Sequence, residues 1–182
     1  MFEELIARIA SVFNAARIPY MIIGGQAVLL YGTPRMTRDI DITLGVATDG
    51  LEDVVTAVHT AGLKILPEDY RSFVGRTWVL PTKDEITGIR VDLIFSFTPY
   101  EREAIERAGA VSLRGTSVRF ASLEDVIIHK VFAGRPRDLE DVRSIVLKNP
   151  HFDTRYISDW LEKFDQSVEG GAFLNQFKEI MS

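Results

Sequence analysis

Apolar positions recur along this chain with two different periods, and the changes between them mark out its elements. Phe2, Leu5, Ile6, Ile9, Val12 and Phe13 fall at helical spacing, which predicts an amphipathic helix over residues 2–17 that Pro19 ends. Tyr20-Met21-Ile22-Ile23 reads as a short buried strand. Gly24-Gly25 then turns into a second apolar helix, Gln26 to Tyr31, which Gly32-Thr33-Pro34 breaks. From Asp39 to Leu44 the period drops to two: Asp39, Asp41 and Thr43 share one face, Ile40, Ile42 and Leu44 the other. A helix follows from about Leu51 to Ala61, ending at Gly62. Strands are expected around Lys64–Leu66, Phe73–Leu80 and Ile89–Phe95. The last of these sets Val91, Leu93 and Phe95 against Arg90, Asp92 and Ile94. A helix near Tyr100–Ala108 and a strand pair, Ala110–Leu113 and Ser117–Phe120, complete a mixed sheet.

Everything after Ser122 carries helical spacing. Ser122-Leu123-Glu124-Asp125 has the form of a capping box, and Pro136 suits the first turn of the next helix. Leu139, Val142, Ile145 and Val146 give that helix its buried stripe. Further helices are expected over about Thr154–Phe164 and Val168–Ile180. The expected architecture is thus an α/β core over residues 1–121 and a helical subdomain over residues 122–182, with no internal repeat.

Composition narrows the chemistry. The 182 residues include no cysteine, which excludes disulfides, thiolate zinc sites and a cysteine nucleophile. His59, His129 and His151 are too far apart in sequence to form a paired zinc motif. With 21 Lys and Arg against 26 Asp and Glu, the net charge of −5 argues against broad nucleic-acid binding but leaves room for a local basic groove. The most apolar stretch, Ile18 to Gly32, is too short and too broken to span a membrane. Acidic Glu3 and Glu4 stand where a signal peptide would be basic. A cytoplasmic protein is expected.

The informative run is Gly24-Gly25 through Asp41. Asp39 and Asp41 lie on one face of a strand, roughly 6.6 Å apart along it. At an effective dielectric near 20 their repulsion is on the order of 2.5 kcal/mol, which a bound cation would reverse. Asp92, on a separate strand, has the parity to face the same side. Three carboxylates with no neighbouring thiol or imidazole favour a hard divalent ion such as magnesium. Asp-x-Asp alone also suits the solvated face of an edge strand, and Gly-Gly alone a tight turn. Together they read as a phosphate cradle beside a metal-binding acid cluster, a division of labour suited to a nucleoside triphosphate. Arg35 could reach phosphate oxygens and Thr37 could orient Asp39, or the two are a loop residue and a turn cap. His129, on an apolar helix, reads as a packed histidine, and Trp78 and Trp160 as core anchors.

Gly24-Gly25, the run Arg35-x-Thr37-x-Asp39-Ile40-Asp41, and Asp92 within Arg90-Val91-Asp92-Leu93-Ile94 resemble the polymerase-β-type nucleotidyltransferase superfamily. The segment from Lys130 through Arg135-Pro136-Arg137-Asp138 to Asp141 resembles its AbiEii-like branch, which includes toxins of type IV toxin–antitoxin systems. That segment points away from the aminoglycoside-modifying members. The resemblance covers roughly residues 18–145. It implies a mixed sheet flanked by helices, magnesium (or manganese), and transfer of a nucleoside monophosphate from an NTP to an acceptor hydroxyl on tRNA, protein or a small molecule. It would make Asp39 and Asp41 ligands of both metals, and Asp92 a ligand of the catalytic metal that helps deprotonate the acceptor. The backbone of Gly24 and Gly25 would hold the triphosphate. Lys130 and Asp138 would belong to the cleft, with Arg135 near the leaving pyrophosphate; their alternative is a surface network. Many superfamily members carry Gly-Ser where this chain has Gly24-Gly25, whereas AbiEii-like relatives share Gly-Gly. A cognate antitoxin is a partner the branch implies, and a non-catalytic nucleotide-binding or regulatory module is the alternative function.

Overall fold

A computed structural model describes residues 1–96 and 98–182. Its elements follow the chain as α1 (Phe2–Ala15), β1 (Tyr20–Ile23), α2 (Gly24–Tyr31), β2 (Asp39–Leu44), α3 (Leu51–Thr60), β3 (Leu63–Ile65), α4 (Tyr70–Thr77), β4 (Val79–Asp84) and β5 (Arg90–Phe95). Then come α5 (Pro99–Arg107), β6 (Gly109–Leu113), β7 (Thr116–Phe120), α6 (Leu123–Ala133), α7 (Pro136–Lys148), α8 (Thr154–Ser167) and α9 (Phe173–Met181). The strands form one seven-stranded sheet in the order β3-β4-β5-β2-β1-β7-β6. Two neighbouring pairs are parallel, β2 with β5 and β1 with β7; the others are antiparallel. This is the expected mixed α/β fold, with helices running on from β7.

The alternation in β2 and β5 is a burial pattern. Ile40, Ile42 and Leu44, with Val91, Leu93 and Phe95, are all but inaccessible. Their partners at the intervening positions face the other side of the sheet, where α2 and α5 lie against β2. The helix α2 is fixed at its far end by α7: Lys148 Nζ donates to Gly32 O at 2.9 Å and Asn149 Nδ2 to Tyr31 O at 2.8 Å. These bonds satisfy carbonyls that a helix end leaves open, and they set the direction in which the other end of α2 points. Among the described residues no helix is long and apolar enough to cross a membrane.

Two expectations are corrected. Phe73–Leu80 does not form a strand. Asp69 accepts the Ser72 N–H at 3.1 Å and starts α4; Trp78, at φ 58°, ends it, and the strand β4 begins only at Val79. A run mixing Phe73, Val74, Trp78 and Val79 carries no clear period, and the Asp69 cap decides the matter. The last helix starts later than Val168, at Phe173. Asp165, on the preceding helix, accepts the N–H groups of Phe173 and Leu174 at 2.7 and 3.2 Å, a cap supplied from outside the helix it starts. Trp78 and Trp160 are partly buried and pack against the core from its edge.

Candidate functional site

Neighbouring strands place the acids by register. In the parallel pair β2–β5, Asp41 stands opposite Asp92 and Asp39 opposite Arg90, so all four side chains project from one face. Asp41 lies deepest. Burial, then the charges of Asp39 and Asp92, push its carboxyl up to about 6, against the opposing pull of Lys130 and Arg135. A carboxyl so raised marks a place where negative charge is crowded and poorly hydrated. Asp92 is held aside: Arg90 Nε donates to both of its oxygens, at 2.8 and 3.0 Å. Among the described residues no three carboxylate or imidazole groups stand together as a ready-made cation site. The donor chemistry nevertheless suits a hard divalent ion, because the set is all carboxylate oxygen and the crowding at Asp41 is what a cation would relieve.

The strand β1 ends where α2 begins, and Gly24 makes the turn at φ 63°. A Cβ there would overlap Asp41 Oδ2 and come within 2.9 Å of its Cγ, so the helix start presses directly on the acidic strand. A Cβ on Gly25 would overlap Thr37 Cγ2. Thr37 is held there by Gln26, whose Nε2 donates to Thr37 Oγ1 at 2.6 Å. The space a serine would need at position 25 is filled by the Thr37 methyl. Because α2 has no side-chain cap, its first amides and the positive end of its dipole are available to an anion.

Opposite stands a buried ionic chain from the C-terminal helices. Lys130, 6% exposed, places Nζ 2.6 Å from Asp138 Oδ1 and 2.9 Å from Asp141 Oδ2. Arg35 grips Asp141 with two bonds of 2.9 Å, and Arg135 Nε donates to Asp138 at 2.7 Å. Arg137 donates to Met36 O at 3.2 Å and ties the loop before β2 to α7. Burial would raise the Asp138 carboxyl, but Lys130 and Arg135 hold it below the usual range.

Together these elements enclose a cleft of about 650 Å³ lined by Gly24, Gly25, Arg35, Thr37, Asp39, Asp41, Lys130, Arg135 and Asp138, with Met36, Arg38 and Arg137 beside them. It therefore gathers nine of the ten positions singled out from sequence. Asp92 is the tenth; it shares their face but does not line the cleft. Thr37 bonds Gln26, not Asp39. Four participants receive no site role from the sequence, although three of them lie within its quoted motifs: Gln26, Arg90, Arg137 and Asp141. A signal for Asp141 is present in α7, where Asp138, Asp141, Val142 and Ile145 fall at i, i+3, i+4 and i+7 and all are buried. Two acids on the buried stripe of a helix require cations facing them. Five basic side chains against the open start of α2, with acids at one wall, form a surface suited to a polyphosphate carried with a divalent ion.

The family model described as a nucleotidyltransferase of unknown function, DUF6036, matches residues 1–165. No curated protein matches the chain. Among solved structures, an antigenic nucleotidyltransferase-like protein from Paracoccidioides brasiliensis aligns at TM-score 0.57 and 16% identity, over 96% of this chain and 92% of its own. The antibiotic-resistance factor ANT(2'')-Ia aligns at TM-score 0.54 and 20% identity, over 91% and 97%. The lincosamide antibiotic adenylyltransferase LnuA, with lincomycin bound, aligns at 0.53 and 17%, over 78% and 94%. At such identities the likeness is one of fold. Two of these three are proteins of antibiotic resistance or modification, so the fold does not set the chain apart from them as its Arg135–Asp138 segment suggests.

Proposed function

We propose that this chain, which belongs to the DUF6036 family of nucleotidyltransferases, binds a nucleoside triphosphate in the cleft and moves its nucleoside monophosphate to an acceptor hydroxyl. The observation that carries this reading is the meeting, in one cleft, of the uncapped start of α2, five basic side chains and the crowded carboxylates Asp39 and Asp41. In this reading residues 1–121 are the catalytic core, and residues 122–182 are a helical subdomain that contributes Lys130, Arg135, Asp138 and Asp141.

The amides of Gly24 and Gly25 hold triphosphate oxygens, and Lys130 and Arg135 face the charge that builds on the departing pyrophosphate. Arg35, gripped by Asp141, keeps the loop before β2 against α7. Asp39, Asp41 and Asp92 would hold magnesium, or manganese in its place, which when bound supplies charge neutralisation and an activated acceptor oxygen. Asp92 must then exchange Arg90 for the ion. The AbiEii-like assignment and a toxin role, with a cognate antitoxin, rest on the segment from Lys130 to Asp141 alone; the family match does not speak for them.

The test is transfer of label from each of four α-³²P NTPs, with Mg²⁺, to tRNA, to protein and to small hydroxylated acceptors in a cell extract. Transfer by the parent and its loss in Asp41→Ala are expected. If the parent transfers nothing, or the variant matches it, the catalytic reading gives way to a binding module that keeps the fold.

A further inference from the structure

A second hollow opens on the acid-bearing face of the sheet. It has a volume of about 580 Å³ and lies between β2, β5 and the helices α5, α6 and α8. Its floor begins one same-face step beyond the acids. Thr43 follows Asp41, Ile94 follows Asp92, and the two are paired in register just as the acids are. Asp41 thus stands between the cleft and this cavity, about 6.6 Å from Thr43 along the strand. Asp92, absent from the lining of the cleft, has its next same-face neighbour in the floor of the cavity.

The walls are aromatic. Tyr100 meets Trp160 and Phe164 edge to face with centroids 5.0 and 5.2 Å apart, and Phe132, 49% exposed, packs on Phe164 at 5.3 Å. Two lining residues carry a buried polar atom with no hydrogen-bond partner, Thr43 Oγ1 and His129 Nε2. Buried polar atoms are seldom left unpaired in folded proteins, and each such exception calls for a partner. Burial, with Lys130 nearby, lowers the His129 imidazole to about 4 against the pull of Glu101, so the ring is neutral near pH 7 and offers a hydrogen bond without a charge. Among the described residues Glu101 is the one carboxylate in the lining and Lys163 the one ammonium, the latter seated 4.0 Å over the Trp160 ring. A polycation would find too few carboxylates here, and a nucleic-acid backbone too few cations.

We propose that this cavity is the acceptor site, taking a small uncharged molecule with an aromatic or alicyclic body whose hydroxyl is presented toward Asp41 and Asp92. This rests on the nucleotidyltransfer reading and selects a small molecule over RNA or protein. Thr43 and His129 pair with a polar group on the body of that molecule, while the aromatic walls cover its apolar faces. Its hydroxyl oxygen bonds to the α-phosphorus. The bond from that phosphorus to the oxygen bridging to the β-phosphate breaks, and its electron pair leaves on pyrophosphate. The hydroxyl proton passes to a carboxylate of the sheet.

Calorimetry on the full chain tests this with 2-naphthylethanol as the neutral aryl alcohol, tobramycin as the polycation, and ATP with Mg²⁺ as the nucleotide. Two variants alter the cavity without entering the cleft: Phe132→Ala opens a wall, and Ser167→Trp, at the exposed end of α8, fills the space. Saturable naphthylethanol binding to the parent is expected, at least tenfold weaker in Ser167→Trp and weakened also in Phe132→Ala, with ATP affinity unchanged within twofold. Intact ATP binding with no naphthylethanol binding overturns the acceptor site and leaves the nucleotide reading standing. Competition between ATP and naphthylethanol, or an equal loss of ATP affinity in Ser167→Trp, overturns it in favour of a nucleobase pocket. Tobramycin binding that the variants abolish overturns the uncharged class. Loss of ATP binding by the parent removes both readings together.

Discussion

Lys130→Met removes the cation at the centre of the buried ionic chain and leaves its methylene stem in place. Asp138 and Asp141, each about 5% exposed, then lose partners at 2.6 and 2.9 Å. Removing one member of a buried ion pair typically costs about 3–5 kcal/mol, because the remaining charge stays out of water. The lower end applies here, since Arg35 still grips Asp141 with two bonds, and Asp138 keeps Arg135, whose side chain is 77% exposed and therefore weakly held. A loss of about 3 kcal/mol lowers the melting temperature of a chain this size by about 6–12 °C. Thermal unfolding followed by circular dichroism at pH 7 measures it, with Asp138→Asn and the double variant completing a cycle. The double variant should recover part of the loss, because an amide at position 138 no longer needs a counter-ion. The sign with pH follows from the lowered Asp138 carboxyl: its stabilisation is present above the ordinary carboxyl range and is lost as pH falls through the folded-state value. The gap between parent and Lys130→Met should therefore narrow below pH 3.8. A single variant within about 1 kcal/mol of the parent, or a double variant as poor as the sum of the singles, refutes the coupling.

Three further outcomes are expected. Gly25→Ser drives a Cβ into Thr37 Cγ2 and should cost about 1–3 kcal/mol by overpacking; adding Thr37→Ser removes the methyl, keeps the hydroxyl for Gln26, and should restore most of the melting temperature. The Asp41 carboxyl, raised by burial and by Asp39 and Asp92 to about 6, makes the folded state hold a proton that the unfolded chain releases near 3.8. This group's contribution to stability is thus fully present below 3.8 and is lost as pH rises to about 6, so Asp41→Asn should gain on the parent across that window, on the order of 3 kcal/mol at ~1.4 kcal/mol per unit, in urea unfolding at a series of pH values. Arg90→Gln frees Asp92 from its guanidinium and should move a Mg²⁺ titration, followed by calorimetry, to lower concentration; an unchanged midpoint means that Arg90 does not compete with the ion.

The acidic strand was legible because a half-buried strand has period two, and Asp39-Ile40-Asp41-Ile42-Thr43-Leu44 keeps it without a break. Gly24 was legible for a related reason: an apolar strand running straight into an apolar helix needs a residue that tolerates a close approach at positive φ. What stayed hidden depends on partners distant in sequence. Asp141 is only the end of a family-like segment until Lys130 and Arg35 are placed around it. Arg90 is placed by alternation only on the Asp92 face of its strand until the β2–β5 register sets it opposite Asp39. The helix α4 was missed because its start rests on one capping aspartate and just one of its residues, Val74, is fully buried. The cavity beyond Thr43 left no trace in any motif, since its walls come from β2, β5, α5, α6 and α8, whose aromatic residues would serve equally well as plain core.

The cleft draws on Gly24 at one end of its roster and on Asp141, through Arg35 and Lys130, at the other, with β5 inserted beside β2 only after α3, β3, α4 and β4 have been laid down. A ribosome that has released only the first hundred residues has therefore issued Gly24, Gly25, Arg35, Arg38, Asp39 and Asp41 but not Lys130, Arg135, Arg137 and Asp138, which line the cleft from the other side. The cleft lining is complete only once residue 138 has emerged, so capture of a labelled nucleotide by stalled nascent chains of graded length would time its assembly.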